Sequence, residues 1–552
     1  MGSSGAFRVA LACLIGLAAT TPAAFAQAPS RDCDRPTPTD APRPPAVESN
    51  RDAKLAEMEK RIKELEAAKP PEQKPVLAWQ GLLLTPLLPG SEPNEVIPAV
   101  MQYPGLEHAT EPRPFFPDSS AESLSRHLVG MDSVFKIPSP DGQHALWVTG
   151  QVQADYHDYP RHGDMTDIDT FLVRRARLGI EAILFDYYEF RLLPDFGNGK
   201  VVVQDSFMNV HYWDEFQFMV GKFKEPVSYE ELIFDRFVPT LERSLIDQLA
   251  PARDVGMMVH GENLLKNQLD YAVGVFNGEI NGDVDTNKIH DFAGRIAWRP
   301  FNYDVLPDYL HLIQFGISGT AGVEQEALSL TGVGNETIRT PAGVPWLTFE
   351  KNAYANGIRT RAYPEFSYFY DQLGFMAEYL RMDQQIQSGM QETVTTTTTV
   401  KTGKTTTKVT TTRIINDNPK DIRFEGYQFT LTYLLTGEKR TQYSEMIRPL
   451  RPFDVKHPFS NPGAWEFVAR VSHLQVDPSI FQSGAAYQLA SPNGNSDTAT
   501  EFTVGFNWYL NALVRVQFNW EHASFQQPLL LGPPSTYFRE TDAAMVRFQI
   551  IF

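Results

Sequence analysis

The chain of 552 residues has only two cysteines. Cys13 lies inside an N-terminal apolar stretch that continues past it, a poor context for lipoprotein cleavage. Cys33 is then left alone, as a free thiol or a link between subunits, and no intrachain disulfide can hold the fold. Long hydrophobic runs are missing too. Beyond the first thirty residues nothing approaches the roughly 18 apolar residues that a spanning helix needs, which excludes a bundle of membrane helices. Basic excess is also lacking: 49 Lys and Arg face 67 Asp and Glu, a formal charge of −18. That balance gives no support for nucleic-acid binding.

The familiar local catalytic motifs are absent as well. There is no His-Glu-x-x-His helix, no Gly-x-Ser-x-Gly elbow, no phosphate loop and no cysteine pair for a metal. Asp283, Asp285 and Asn287 imitate the start of a calcium loop, but Lys288 replaces the required Gly and Gly294 stands where the bidentate Glu belongs. The expectation is a protein that is not an enzyme, with no catalytic residues, no metal and no cofactor; only a spatial cluster among its 12 histidines would change it.

The N-terminus carries an export signal. Arg8, the apolar stretch from Val9 to Ala19, and Ala24-Phe25-Ala26 as a small-x-small site mark residues 1–26. Cleavage there removes one cation and moves the formal charge from −18 to −19. Residues 27–50 read as a Pro-rich linker. Leu55, Met58, Ile62 and Leu65, at steps of three and four among Lys and Glu, predict a short coiled-coil helix over 51–69. It is either a periplasmic oligomerisation stalk or an amphipathic helix resting on another surface. Residues 70–139 are Pro-rich and show no period, and read as an irregular periplasmic region.

From residue 140 to 552 the texture changes to segments of about ten residues that alternate with period two, as strands crossing a bilayer in a barrel do. Tyr427, Phe429, Leu431, Tyr433 and Leu435 alternate with Gly426, Gln428, Thr430 and Thr432. Phe502, Val504, Phe506, Trp508 and Leu510 alternate with Glu501, Thr503, Gly505 and Asn507. Aromatics at 12% and a mean hydropathy of −0.29 suit a wall with one lipid face and one wet face. A soluble β-sandwich gives the same alternation, but connection lengths argue against it. Tight links such as Trp213-Asp214-Glu215 and Leu510-Asn511-Ala512 mostly alternate with long ones at 225–252, 322–357 and 385–420. Counting from 146–156 to 542–552 gives sixteen strands, an even number as such barrels require. The last places Val546, Phe548, Ile550 and Phe552 on one face. A terminal strand ending in Phe resembles the signal by which outer-membrane proteins meet the barrel assembly machinery. The Thr-rich stretch 393–412 reads as a protruding hairpin or a solvated loop.

The basic constellation is Arg174, Arg175 and Arg177 in the strand from Thr170 to Ile183. Alternation puts Arg175 and Arg177 with Gly179 and Glu181 on the lumen face, because a charge at mid-bilayer on the lipid face costs about 2–4 kcal/mol. Arg174, of opposite parity, is expected near the headgroups. Parity also places Arg191, Lys222 and Lys224 on the inner wall. Lumen guanidiniums either attract anions through paired hydrogen bonds or pair with acids such as Glu181 and Glu189. About ten charges of each sign line the wall by this count, so selectivity must come from local clustering. The connection 225–252 is apolar enough to pack against the inner wall. It brings Arg236 and Arg243, with Arg253 just beyond, toward a constriction; the alternative is an extracellular loop packed on its neighbours.

These residues resemble the phosphate-selective porin O and P family of bacterial outer membranes. The likeness runs through Phe171 to Leu178, Val220-Gly221-Lys222-Phe223-Lys224-Glu225-Pro226, Glu242-Arg243-Ser244-Leu245 and Arg253-Asp254-Val255-Gly256. It continues with Leu435-Thr436-Gly437-Glu438 and Gly463-Ala464-Trp465-Glu466 before Arg470 and Ser472. It covers roughly residues 140–552 and implies a homotrimer of 16-stranded barrels in outer-membrane lipid, each with a folded-in loop. It further implies passive diffusion of small anions, phosphate or polyphosphate in the best-known members. By resemblance Arg175 and Arg177, with Arg191 on the same wall, form an anion track, while Lys222, Lys224, Arg236 and Arg243, with Arg253, stand near the constriction. The chain departs from the family in its acidic charge, its balanced lumen and its long N-terminal region. A structural role, with the stalk tethering the envelope, is the alternative.

Overall fold

A computed structural model describes residues 135–159, 169–278, 289–327, 337–394, 411–416, 418–482, 488–532 and 536–552. The export signal, the linker, the coiled-coil helix, the calcium-like triplet 283–287 and the centre of the Thr-rich stretch lie outside the described residues.

Sixteen antiparallel strands form a closed ring, each bonded to the next from Ala145–Asp158 to Thr536–Ile551. The ring closes where the first strand meets the last, with partners running from Gln151↔Ile551 to Asp158↔Ala544. Closure extends to Gly150, whose N–H donates to the Phe552 carbonyl at 2.8 Å and whose carbonyl accepts from the Phe552 N–H at 3.0 Å. With the first strand paired to the last, the ring has no free edge to present to lipid.

Two further strands extend this sheet. Thr411–Asn416 pairs with Gly389 to Val394, forming the sides of the Thr-rich hairpin. Phe135–Pro138 pairs with Ala145 to Val148, inside the stretch expected to be irregular. Four residues are too few to show a period, so this strand was hidden in the sequence.

The alternation sorts the wall as expected. Phe429, Leu431, Phe502 and Phe506 are exposed on the outer surface, while Gln428, Thr430, Thr503 and Asn507 are buried inside. No described helix is long and apolar enough to cross a membrane; the strands do the crossing.

The interior holds more than water-facing side chains. Residues 225–252 turn inward and bond to the far wall: Ser228 Oγ donates to Glu378 Oε1 at 3.0 Å, the Leu241 N–H to Asn519 Oδ1 at 3.0 Å, and the Leu245 N–H to Ser472 Oγ at 2.9 Å. A four-residue helix, Tyr229–Leu232, begins at Ser228, which holds the left-handed φ of 63°. Two of its first N–H groups, on Tyr229 and Glu230, donate to Glu378 at 2.6 and 3.1 Å, so a wall carboxylate caps the loop's helix.

A second inward element is the hairpin of Thr337–Arg339 and Pro345–Thr348. The Tyr159 hydroxyl donates to the Ala342 carbonyl at 2.6 Å, and the Ala342 N–H donates to Glu521 Oε1 at 3.2 Å. Beneath it the inner faces of three adjacent strands change character. Glu378, Gln428 and Ser472 give way to Leu380, Met382, Phe424 and Leu474, all fully buried. These join Ile246 and Leu249 of the loop and Trp346 of the hairpin in one apolar cluster. Part of the lumen is therefore a packed core, and the loop is seated by burial as well as by hydrogen bonds.

Candidate pore-lining site

The strand Thr170–Leu184 carries a bulge. Gln153 faces Arg175 and Ala154 faces Val173, which leaves Arg174 as the extra residue. A bulge resets the alternation on one side of it. Arg174, expected at the headgroups, therefore turns to the inward loop and donates through Nε and Nη2 to the two oxygens of Glu242, at 2.8 and 3.1 Å.

The other arginines of the expected track are also paired. Arg175 donates to Gln153 Oε1 at 2.9 Å and lies 3.6 Å from Asp235 and 3.5 Å from Glu242. Arg177 bridges Asp195, at 2.7 Å, and Asp235 of the loop. Arg191 is 2.9 Å from Glu181 and 3.9 Å from Asp205.

The residues expected at the constriction divide into four kinds. Lys224 and Arg243 fix the loop itself: Lys224 Nζ donates to the Ile233 carbonyl at 3.0 Å, and Arg243 reaches that carbonyl at 2.7 Å and Asp235 at 2.8 Å. Arg253, at the loop's far end, donates to Asp205 at 2.7 Å. Arg236 lays its guanidinium over Phe234 and Phe237, with centroid distances of 5.0 and 5.3 Å. Lys222 is buried in the strand Phe216–Lys224, opposite Ser206.

Asp235 and Glu242 are the acids that sequence reasoning missed. Burial opposes the charged form of Asp235, but Arg177, Arg175 and Arg243 outweigh it and hold the carboxyl well below its ordinary range. Burial likewise opposes ionisation of Glu242, and Arg174, Arg175 and Arg547 overcome it. Both carboxylates are charged at neutral pH. Their one sequence signal is adjacency, since each precedes an arginine that the loop also carries, in Asp235-Arg236 and Glu242-Arg243.

Two spaces share Arg191, Phe234 and Arg253 in their lining. A cavity of about 390 Å³ opens toward the connections 264–268 and 299–312. Its charged lining comprises Lys224, Arg191, Arg253, Arg295 and Arg299 against Asp205, Glu262 and Asp270. Beside it lies a neck of only about 10 Å³, roughly one water. Arg177, Arg191, Arg236 and Arg253 surround the neck, with Glu181 and Asp235. The fold thus brings four of the eight residues singled out in the sequence to one narrow place. Arg175, Lys222 and Arg243 line neither space, and Lys224 lines only the wider one. Among the described residues no group of His, Cys, Asp and Glu is placed to hold a metal ion.

A closed sixteen-strand ring with an apolar exterior, a charged interior and an inward loop defines a bacterial outer-membrane pore of the porin class. The chain belongs to the family described as phosphate-selective porin O and P, whose pattern matches residues 147–549. This is a family of channel proteins, not of enzymes, and its members sit in the outer membrane.

Among individual relatives, Porin O of Pseudomonas aeruginosa is 32% identical over 99 residues, 18% of this chain. That match spans only 20% of the relative's length. Among solved structures, an anion-selective porin from Comamonas acidovorans aligns at 12% identity with a TM-score of 0.43, covering 74% of this chain and 100% of that one. The outer-membrane channel DcaP of Acinetobacter baumannii aligns at 8% identity with a TM-score of 0.43, covering 76% and 100%. OmpT of Vibrio cholerae, in a trimer form, aligns at 10% identity with a TM-score of 0.41, covering 74% and 99%.

Proposed function

We propose that this porin passes small anions, phosphate-like oxyanions among them, and that it discriminates at the neck beneath the inward loop. The observation that carries the reading is the neck's composition. Four guanidinium groups and two carboxylates surround a space the size of one water. A permeating ion there sheds most of its hydration and exchanges it for the groups of the wall, so the local excess of cations counts for more than the balanced charge of the whole lumen. The adjoining cavity repeats the bias, with five cationic side chains against three carboxylates.

Arg191, Arg236 and Arg253 act as the selecting groups in this reading, with Arg175 and Arg177 as the wall behind them. Asp205 lies between Arg191 and Arg253 and Glu181 also holds Arg191, so the wall carboxylates orient both guanidiniums. We further propose a homotrimer in outer-membrane lipid, inserted through the assembly machinery that meets Phe552, as the family resemblance implies.

The test is a double substitution, Arg191→Gln with Arg253→Gln, in the full-length porin in planar bilayers. The chloride preference of the current should fall toward unity while conductance is retained. A selectivity identical to that of the wild type would exclude the neck as the discriminating place.

A further inference from the structure

Around Glu242 the barrel presents a cradle built for an oxyanion. Arg174 grips both carboxylate oxygens side-on at 2.8 and 3.1 Å, Arg547 Nη2 donates to Oε1 at 2.7 Å, and Arg175 Nη2 stands 3.5 Å from Oε2. Paired donors from one guanidinium, a single donor from a second and the nearby charge of a third make an arrangement that recognises phosphate as readily as carboxylate. Here the occupant is a side chain of the protein's own loop.

Two of the three guanidiniums do not depend on that occupant for their place. Arg547 is held independently by Asp155, with Nε donating at 2.7 Å and Nη2 at 2.6 Å. Arg175 is held by Gln153. The loop backbone at Glu242 is pinned by its own carbonyl, which accepts from Arg470 Nη1 and from Thr240 Oγ1, both at 2.7 Å. Removing the Glu242 carboxylate would leave Arg175, Arg547 and the loop where they are, and would release Arg174, whose two hydrogen bonds both go to Glu242, to turn to a bound anion.

Charge and access point the same way. Among the described residues Glu242 is the one acid that faces Arg174, Arg175 and Arg547 together, at 2.8, 3.5 and 2.7 Å. Loss of its carboxylate removes a negative charge that a bound anion would restore. Of the two loop acids, Asp235 is 3% exposed while Glu242 is 14% exposed and its partner Arg174 32%. The Glu242 end of the cluster is therefore the one that solvent ions reach.

Resting on the reading of this chain as a pore, we propose that Glu242 is a resident anion filling a latent oxyanion site made by Arg174, Arg175 and Arg547. It keeps phosphate-like ions from lodging there. Glu242 thus sets how tightly the pore holds its solutes: with the carboxylate present anions pass without capture, and without it they bind.

The experiment measures inhibition of the chloride current by added inorganic phosphate, using the full-length porin in planar bilayers. Glu242→Ala should be inhibited at phosphate concentrations about tenfold or more below those needed for the wild type, the range that charge-assisted hydrogen bonds carry. The double variant Arg174→Gln/Glu242→Ala should lose that gain. Glu242→Ser, which empties the cradle as Glu242→Ala does, gives the same reading if Glu242→Ala assembles poorly. Unchanged phosphate sensitivity in a properly assembled variant would overturn the proposal, as would a gain that persists in the double variant. The comparison is between variant and wild type, so a cation-preferring wild type would sink the proposed function without deciding this inference.

Discussion

Glu378 on the barrel wall accepts a hydrogen bond at 3.0 Å from the hydroxyl of Ser228, 150 positions earlier in the chain. The same carboxylate receives the N–H groups of Tyr229 and Glu230 and the side-chain amide of Gln428. One inner-wall acid thus ties the beginning of the inward loop to the opposite side of the barrel.

Replacing that acid should loosen the loop without opening the ring. Glu378→Ala removes four accepted bonds, each worth about 0.5–1.5 kcal/mol net, and leaves their buried donors unpaired. The expected outcome is a noisier single-channel current from a barrel that still migrates as folded on a gel. A current as quiet as the wild type's would show that the apolar cluster alone seats the loop.

Asp235 should matter more for stability than any other loop acid. It faces Arg175, Arg177 and Arg243 and is almost fully buried. Breaking such a buried network by neutralising its centre costs about 3–5 kcal/mol. Asp235→Asn should therefore lower the temperature at which the folded band is lost in heat-dependent gel migration. No shift would mean that the three arginines find other partners.

The same carboxylates predict a pH dependence. Asp235 and Glu242 lie below their ordinary values of 3.8 and 4.5. A depressed folded-state value contributes stability that is complete above the unfolded value and is lost as pH falls through the folded one. Thermal stability should stay level from about pH 7 to about pH 5 and fall only below about pH 4. A decline beginning near pH 6 would instead assign control to histidine.

Trp346 is wholly buried beneath the inward hairpin. Trp346→Ala empties the centre of an apolar cluster, at a cost of about 3–5 kcal/mol. Protease added from outside should then cut within 337–348 in the variant and not in the wild type. Equal resistance would show that the bonds from Tyr159 and to Glu521 hold the hairpin alone.

The barrel was legible in the sequence because period-two alternation is a local property, readable strand by strand in residues such as Phe429 and Gln428. Non-local features were not. Arg174 obeys the alternation in sequence and breaks it in space, because a bulge depends on the partner strand. Asp235 lies 58 positions from Arg177 and Glu242 lies 68 from Arg174, and no local pattern joins them. Leu380, Met382, Phe424 and Leu474 did carry a signal: beside them the outward positions are Arg381, Asp383, Arg423 and Glu425, so the alternation is inverted there and something must cover the apolar inner positions from within. Of the four arginines of the neck, Arg177 and Arg191 were found by charge and parity and Arg236 and Arg253 by their place in and just beyond the apolar connection 225–252, whereas their convergence depends on how the loop folds.

The central claim, anion preference, is tested most directly by the reversal potential of the wild-type porin in a planar bilayer separating two KCl concentrations. A potential of the sign set by chloride permeation is the predicted result. A potential of the sign set by potassium would contradict it.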